Sequence, residues 1–300
     1  MLFLVALAAL AAPADWVPMR WTSNDPQSLE LLKDTPVNCL LLEQAHWSAP
    51  LLDAAAMRNV AALGVVRPGA VPERLPSGLA GIVLEGDWTE LPALPARTRI
   101  ELLPRSRMRW DTGAPVIGTY QAVWPGIHAE EGGSAKAAPS GGPWIDTNSG
   151  FLRFARAATT STVWLGNTPP PKTAMTAERY IQVVADAAVM GARWIVALDD
   201  DLTKRLLARD AQALRDWKRI ADHLAWFEQH REWRSYQPVG QLALVQDVNT
   251  GALYSGSVLD MIAVKHTPVI PVPIGKLSDS AMSQAKLAVN VDPSALTDSQ

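Results

Sequence analysis

Only one cysteine, Cys39, occurs in 300 residues, so no intrachain disulfide can form and no cysteine-based metal site can be built. Positive charge is not in excess. Lys and Arg number 27 against 30 Asp and Glu, a net charge of −3 with no basic stripe, which argues against nucleic acid as a partner. No apolar run approaches the ~20 residues that span a bilayer. There is no G-x-S-x-G elbow, no P-loop and no G-x-G-x-x-G after a strand-like run. The five histidines (His46, His128, His223, His230 and His266) show no ligand spacing, so neither a metal nor a redox cofactor is expected. Phe and Tyr are scarce at four each, whereas Trp numbers 12.

Hydrophobic residues at 48% and charged residues at 19% supply a sizeable core and exclude a disordered chain. Residues 1–14 form an apolar leader ending in Ala12-Pro13-Ala14, which fits a signal peptide and implies a periplasmic or secreted protein. Eight mostly continuous apolar runs follow, at Val17–Trp21, Asn38–Glu43, Gly64–Arg67, Gly81–Glu85, Arg99–Leu103, Pro115–Tyr120, Thr162–Gly166 and Arg193–Leu198. Continuous hydrophobicity is what parallel strands covered on both faces require. Helices are expected over Gln27–Lys33 after an Asp25 cap, over Leu51–Leu63 before Gly64, from Thr176 to near Gly191, and over Leu202–His230 as one helix or a broken pair. The βα rhythm and the strand count predict a (β/α)8 TIM barrel over residues 15–235, with a doubly wound open sheet as the alternative.

Gln121–Ile145 is the longest irregular segment and follows the sixth strand, on the face where barrel active sites lie. Beyond Ser235 the pattern restarts. Gln241–Gln246, Pro268–Pro273 and Ala285–Val291 read as extended, and Ser257–Lys265 reads as a helix. Residues 239–300 are therefore expected to open a second, flavodoxin-like α/β domain that stops short of its full strand set, as in a piece of a longer protein. Such a domain offers a surface for homo-oligomerisation.

Polar residues at the C-terminal ends of barrel strands point toward the site built by the following loops. Glu85 and Asp87 fall at such an end, as do Arg20 and Trp21, Glu43 and Trp47, Arg67, and Asp199 with Asp200. Gln121, Trp124 and Asn167 follow the sixth and seventh strands, and Trp88, Trp144 and Asp146 lie in loops. Paired carboxylates beside flat aromatic faces suit glycoside hydrolysis, one acid protonating the leaving oxygen while the other attacks or activates water. Glu85 or Asp87 is the expected acid/base, with Glu43, Asp199 or Asp200 as partner. Arg20, Trp21, Trp47, Arg67, Trp88, Gln121, Trp124, Trp144, Asp146 and Asn167 are expected to bind substrate. Each strand-end acid could instead be a cap or a salt-bridge partner, and the tryptophans could simply pack beneath loops. In Asp199-Asp200-Asp201, Asp201 is expected to cap a helix beginning at Leu202.

The segment from Tyr180 to Asp200, YIQVVADAAVMGARWIVALDD, resembles the last helix–strand unit of bacterial glycoside-hydrolase barrels, and Gly251–Asp292 resembles the start of a glutamine-amidotransferase-like domain. This is the arrangement of family 42 β-galactosidases. The resemblance implies carbohydrate metabolism and a packing or oligomerising role for the second domain. That clan carries Asn-Glu at the end of the fourth strand and Glu at the end of the seventh. Here those places read Leu84-Glu85-Gly86-Asp87 and Leu165-Gly166-Asn167-Thr168, so no catalytic residue is carried over. The C-terminal segment has no cysteine and hence no glutaminase nucleophile. Two functions remain: a glycoside hydrolase, or a noncatalytic barrel that binds carbohydrate or serves as a scaffold.

Overall fold

The computed structural model describes residues 11–129, 135–137, 147–249, 255–292 and 296–297. In chain order the elements are β1 (Pro18–Trp21), β2 (Cys39–Leu42), α1 (Ala49–Met57), β3 (Ala61–Val66), β4 (Gly81–Glu85), β5 (Arg99–Leu103) and β6 (Val116–Thr119). They continue with the small hairpin β7 (Ile127–Ala129) and β8 (Ala135–Ala137), α2 (Ser149–Ala158), β9 (Thr162–Leu165), α3 (Ala177–Val189), β10 (Arg193–Trp194), α4 (Asp200–Leu207) and α5 (Ala211–Gln229). The chain then forms β11 (Leu242–Gln246), α6 (Ser255–Ala263), β12 (Val269–Pro273), α7 (Asp279–Met282) and β13 (Leu287–Asn290).

Strands β1-β2-β3-β4-β5-β6-β9-β10 form one parallel sheet in that order. A parallel bridge between Met19 and Val196 joins its two ends, with Arg20 N donating to Val196 O at 2.8 Å and Val196 N to Pro18 O at 3.0 Å. That closure makes the sheet a TIM barrel and rules out the open sheet. Strand parity sorts its residues. Leu41, Leu63, Val83, Leu102, Val116, Trp164 and Ile195 pack inside, whereas Leu40, Leu42, Ala62, Leu165 and Val196 belong to the outer core beneath the helices. Cys39 is a fully buried member of the inner cluster.

The helical layer is uneven. Residues 26–32 form a 3-10 helix, with Asp25 capping it through Gln27 N at 2.9 Å, and the β3–β4 and β4–β5 connections carry no helix. Over that side Trp47, Trp88, Leu75, Leu91 and Leu94 cover the outward residues Val66, Ile82 and Leu84 instead.

The helix expected over Leu51–Leu63 ends at Met57, because Asn59 turns left-handed at φ 57° and Ala61–Leu63 join β3. Of the two forms expected over Leu202–His230, the chain takes the broken pair, interrupted at Arg209, φ 59°. Helix α2 was not anticipated. It buries Phe151, Leu152, Phe154, Ala155 and Ala158.

The second unit is a three-stranded parallel sheet in the order β12-β11-β13, with α6 and α7. Its Leu244, Leu259 and Val269 share a hydrophobic cluster with Phe151 and Phe154 of α2. Helix α6 lies so close to α2 that a Cβ on Gly150 would sit 1.9 Å from Gly256 O, so only glycine fits there. Among the described residues no helix is long and apolar enough to cross a membrane.

Candidate functional site

Four strands place a charge at the first inward position beyond their last packed side chain: Arg20 on β1, Glu43 after β2, Arg67 after β3 and Glu85 at the end of β4. The same parity that fills the barrel therefore builds its rim. Arg67 Nη2 donates to Glu43 Oε1 and to Glu85 Oε1, each at 2.8 Å, and its Nη1 bonds Glu43 Oε2. Arg20 Nη2 bonds Glu85 Oε2, and its Nη1 lies 3.6 Å from Glu43 Oε1. The result is a charge-neutral quartet in which acids and guanidiniums alternate around the mouth.

Glu85 is 6% exposed. Burial pushes its carboxyl up, but Arg20 and Arg67 outweigh burial and hold it below the ordinary glutamate value. Burial pulls Arg67 down, yet Glu43 and Glu85 raise it above the usual arginine value. The two guanidiniums thus favour the ionised form of Glu85.

The other expected acids are also engaged, with one exception. Asp87 is exposed and pairs with Arg107 Nη1 at 2.5 Å. Asp199 is buried, its Oδ2 accepting from Tyr180 Oη at 2.7 Å and Met175 N at 3.1 Å, and its Oδ1 from Leu202 N at 3.0 Å. Asp199 is therefore the cap of α4. Asp201, expected in that role, pairs one turn on with Arg205 at 2.8 Å because the helix begins earlier, at Asp200. Asp200 is exposed. Tyr120, missed in the sequence, lies beside the quartet, and burial followed by the charges of Asp87 and Glu85 raises its phenol above the ordinary value. Its inward parity with Val116 was the signal.

Apart from Trp21, which also lines the cavity described below, the described tryptophans take a different place from the one expected. Trp21 and Trp124 are buried in the outer core, Trp124 stacking edge-on against Tyr180 and Trp194 at 5.6 and 5.0 Å. Trp47 is half-buried over Gly64 on the outside of β3, with Nε1 donating to Leu42 O at 2.8 Å. Trp88 is likewise half-buried in the cluster that stands in for the missing helices. Gln121 accepts from Arg105 N at 3.0 Å, and Asn167 donates to Ala122 O at 2.7 Å, so both tie loops together. Trp144 and Asp146 lie outside the described residues.

No family model matches the chain, and no curated protein matches it. What the site can do rests on its own geometry. Beside the quartet a cavity of about 490 Å³ opens over the seam between β1 and β10. Trp21, Leu31, Leu206 and Trp217 form its apolar wall, the run Pro169-Pro170-Pro171 crosses it, and Arg20, Thr22, Ser23, Lys172 and Asp200 supply polar groups. A concave, mainly apolar cavity with a few polar groups is the usual form of a small-molecule site. Among the described residues no group of three or more His, Cys, Asp or Glu side chains is arranged to hold a metal ion.

Proposed function

We propose that the barrel binds a carbohydrate in the seam cavity beside its mouth and does not hydrolyse it. The observation that carries this reading is the arginine quartet. Glycosidic hydrolysis by two carboxylates needs one of them protonated, and Glu85 is held ionised by Arg20 and Arg67 while Asp87 is paired with Arg107. The cavity supports a sugar-sized ligand: Trp21, Trp217 and the three prolines offer apolar walls for the ring faces, and Thr22, Ser23, Lys172 and Asp200 offer groups for hydroxyls. Export by the 1–14 leader, and a packing role for an amidotransferase-like second unit of the family 42 kind, belong to the same proposal.

A second reading, hydrolysis, has one geometric support. Two oxygens that each lie 2.8 Å from Arg67 Nη2 can be separated by no more than twice that, compatible with the about 5–5.5 Å between carboxyls of retaining enzymes. Turnover would then require Arg67 to leave the space between Glu43 and Glu85.

The deciding experiment pairs calorimetric titration with neutral mono- and oligosaccharides and a hydrolysis screen on aryl glycosides. Binding that weakens in Asp200→Ala and Trp217→Ala, without turnover, supports the binding barrel. Turnover abolished by Glu43→Gln or Glu85→Gln in a folded protein establishes the hydrolase, and no saccharide binding at all sinks both.

A further inference from the structure

A second cavity, about 990 Å³, runs as a groove between the barrel and the second unit, at the opposite end of the barrel from the charged quartet, where β9 begins and α2 ends. Its lining includes Arg153 and Arg156 from α2, Arg234 from the segment leaving α5, and Lys276 from the second unit. No Asp or Glu is among the described residues that line it, in a chain whose net charge is −3.

The neighbouring acids leave these cations in excess. Glu228 accepts from Arg234 at 2.6 Å but is shared with Arg193, which bonds both its oxygens at 2.9 and 2.7 Å, so one carboxylate serves two guanidiniums. Asp260 on α6 acts on Arg153, but it also interacts with Asp186 and Arg105. Among the described residues Arg156 donates to the carbonyls of Arg234, at 3.2 Å, and Tyr236. Those carbonyls orient the guanidinium without neutralising it, and burial pulls it down with no carboxylate to offset that. Lys276 Nζ caps α2 through Ala157 O at 3.0 Å and Ala158 O at 2.8 Å, which again fixes a cation and leaves its charge. Asp279, next to the lining residue Ser280, starts α7 outside the groove wall.

We propose that this groove is a binding site for a small organic anion bearing at least two phosphate or carboxylate groups. Oriented, partly desolvated cations without counter-ions are favourable places for an anion, whose charge-assisted hydrogen bonds replace the water they have lost. Two anionic groups are implied because several cations are spread along the groove: Arg153 and Arg156 on α2, Arg234 beyond α5, and Lys276 reaching from the second unit to the C-terminal end of α2. Thr160, Gln237 and Gln284 can meet the neutral part of such a molecule. The assignment does not depend on whether the barrel mouth binds sugar.

The test titrates the full chain calorimetrically with fructose 1,6-bisphosphate, with citrate, and with fructose as the uncharged control, while following tryptophan fluorescence, from which a Trp233→Phe variant identifies the part due to Trp233 in the groove wall. Saturable binding of either anion is expected, weakened by added salt, without the same Trp233 response to fructose. Arg156→Gln and Lys276→Gln are each expected to weaken it by about tenfold or more. Binding of the bisphosphate alone identifies phosphate as the recognised group, and of citrate alone, carboxylate. Neither anion binding, or wild-type affinity in a Lys276→Gln variant whose melting curve shows it folded, overturns the proposal.

Discussion

The barrel mouth and the groove between the two units both collect arginines, but they do opposite things with them. At the mouth Arg20 and Arg67 are matched one for one by Glu43 and Glu85, so every charge is satisfied within the protein. In the groove Arg156 and Lys276 meet carbonyl oxygens and, among the described residues, no carboxylate. A matched set rigidifies and resists chemistry, whereas an unmatched one leaves free energy available for an incoming anion. Conspicuous strand-end carboxylates can therefore be structural, while less conspicuous cations are left without a matching carboxylate.

The comparison can be broken most directly at the mouth. Arg20→Met leaves the buried Glu85 with one guanidinium and should lower stability by about 3–5 kcal/mol in denaturant titration. A loss below about 1 kcal/mol would show that the quartet is incidental to the fold. The sign with pH follows from Glu85: its folded value lies below the ordinary 4.5, so its contribution is present above that value and is lost as pH falls through the folded one. The deficit of Arg20→Met should accordingly shrink in acid.

Gly150→Ala forces a methyl group against Gly256 O and should cost about 1–3 kcal/mol, with faster proteolysis in the Tyr236–Val239 linker as the second unit loosens. Unchanged cleavage would mean that α2 and α6 are not what docks the units. A smaller, pH-gated effect is expected from Asp260→Asn. Burial first, and then Asp186, pushes the Asp260 carboxyl up to about 6, against Arg153, the Gly150 N–H and Arg105. A raised aspartate favours the fold below its ordinary 3.8, and that advantage is lost as pH rises through about 6. The variant should be the more stable protein above pH 6, and that advantage should fade below pH 4. Melting curves at both extremes check this. The smallest effect belongs to the exposed Lys218–Asp222 pair, where Lys218→Ala should change stability by no more than about 0.5 kcal/mol.

The eight barrel strands were legible in the sequence because each is a continuous apolar run, and strand ends correctly located the charged rim. What failed was local. Ala61-Ala62-Leu63 extends an apolar helix pattern without interruption, and only Asn59, able to turn left-handed, marks the break. Helix α2 begins Asn148-Ser149-Gly150, without a side-chain cap, beside a long irregular stretch that masked its Phe151, Leu152, Phe154 and Ala155 face. The state of Glu85 was not legible, since its partners lie 65 and 18 residues away and meet it only through closure and register. Nor was the fate of the tryptophans: their excess reads as a sugar platform until the strands lacking helices show what Trp47 and Trp88 must cover.

The closing seam has a consequence in time. Strand β1 is the first of the barrel strands in chain order, yet its second neighbour, Val196, follows some 180 residues later, so the barrel must hold an unsealed edge until then. The sugar-sized cavity is made from both sides of that seam, Trp21 on one and Ala197 and Leu198 on the other. It exists only once the seam is closed, and whatever occupies it bridges the first and the last strands of the barrel, which favours the closed form.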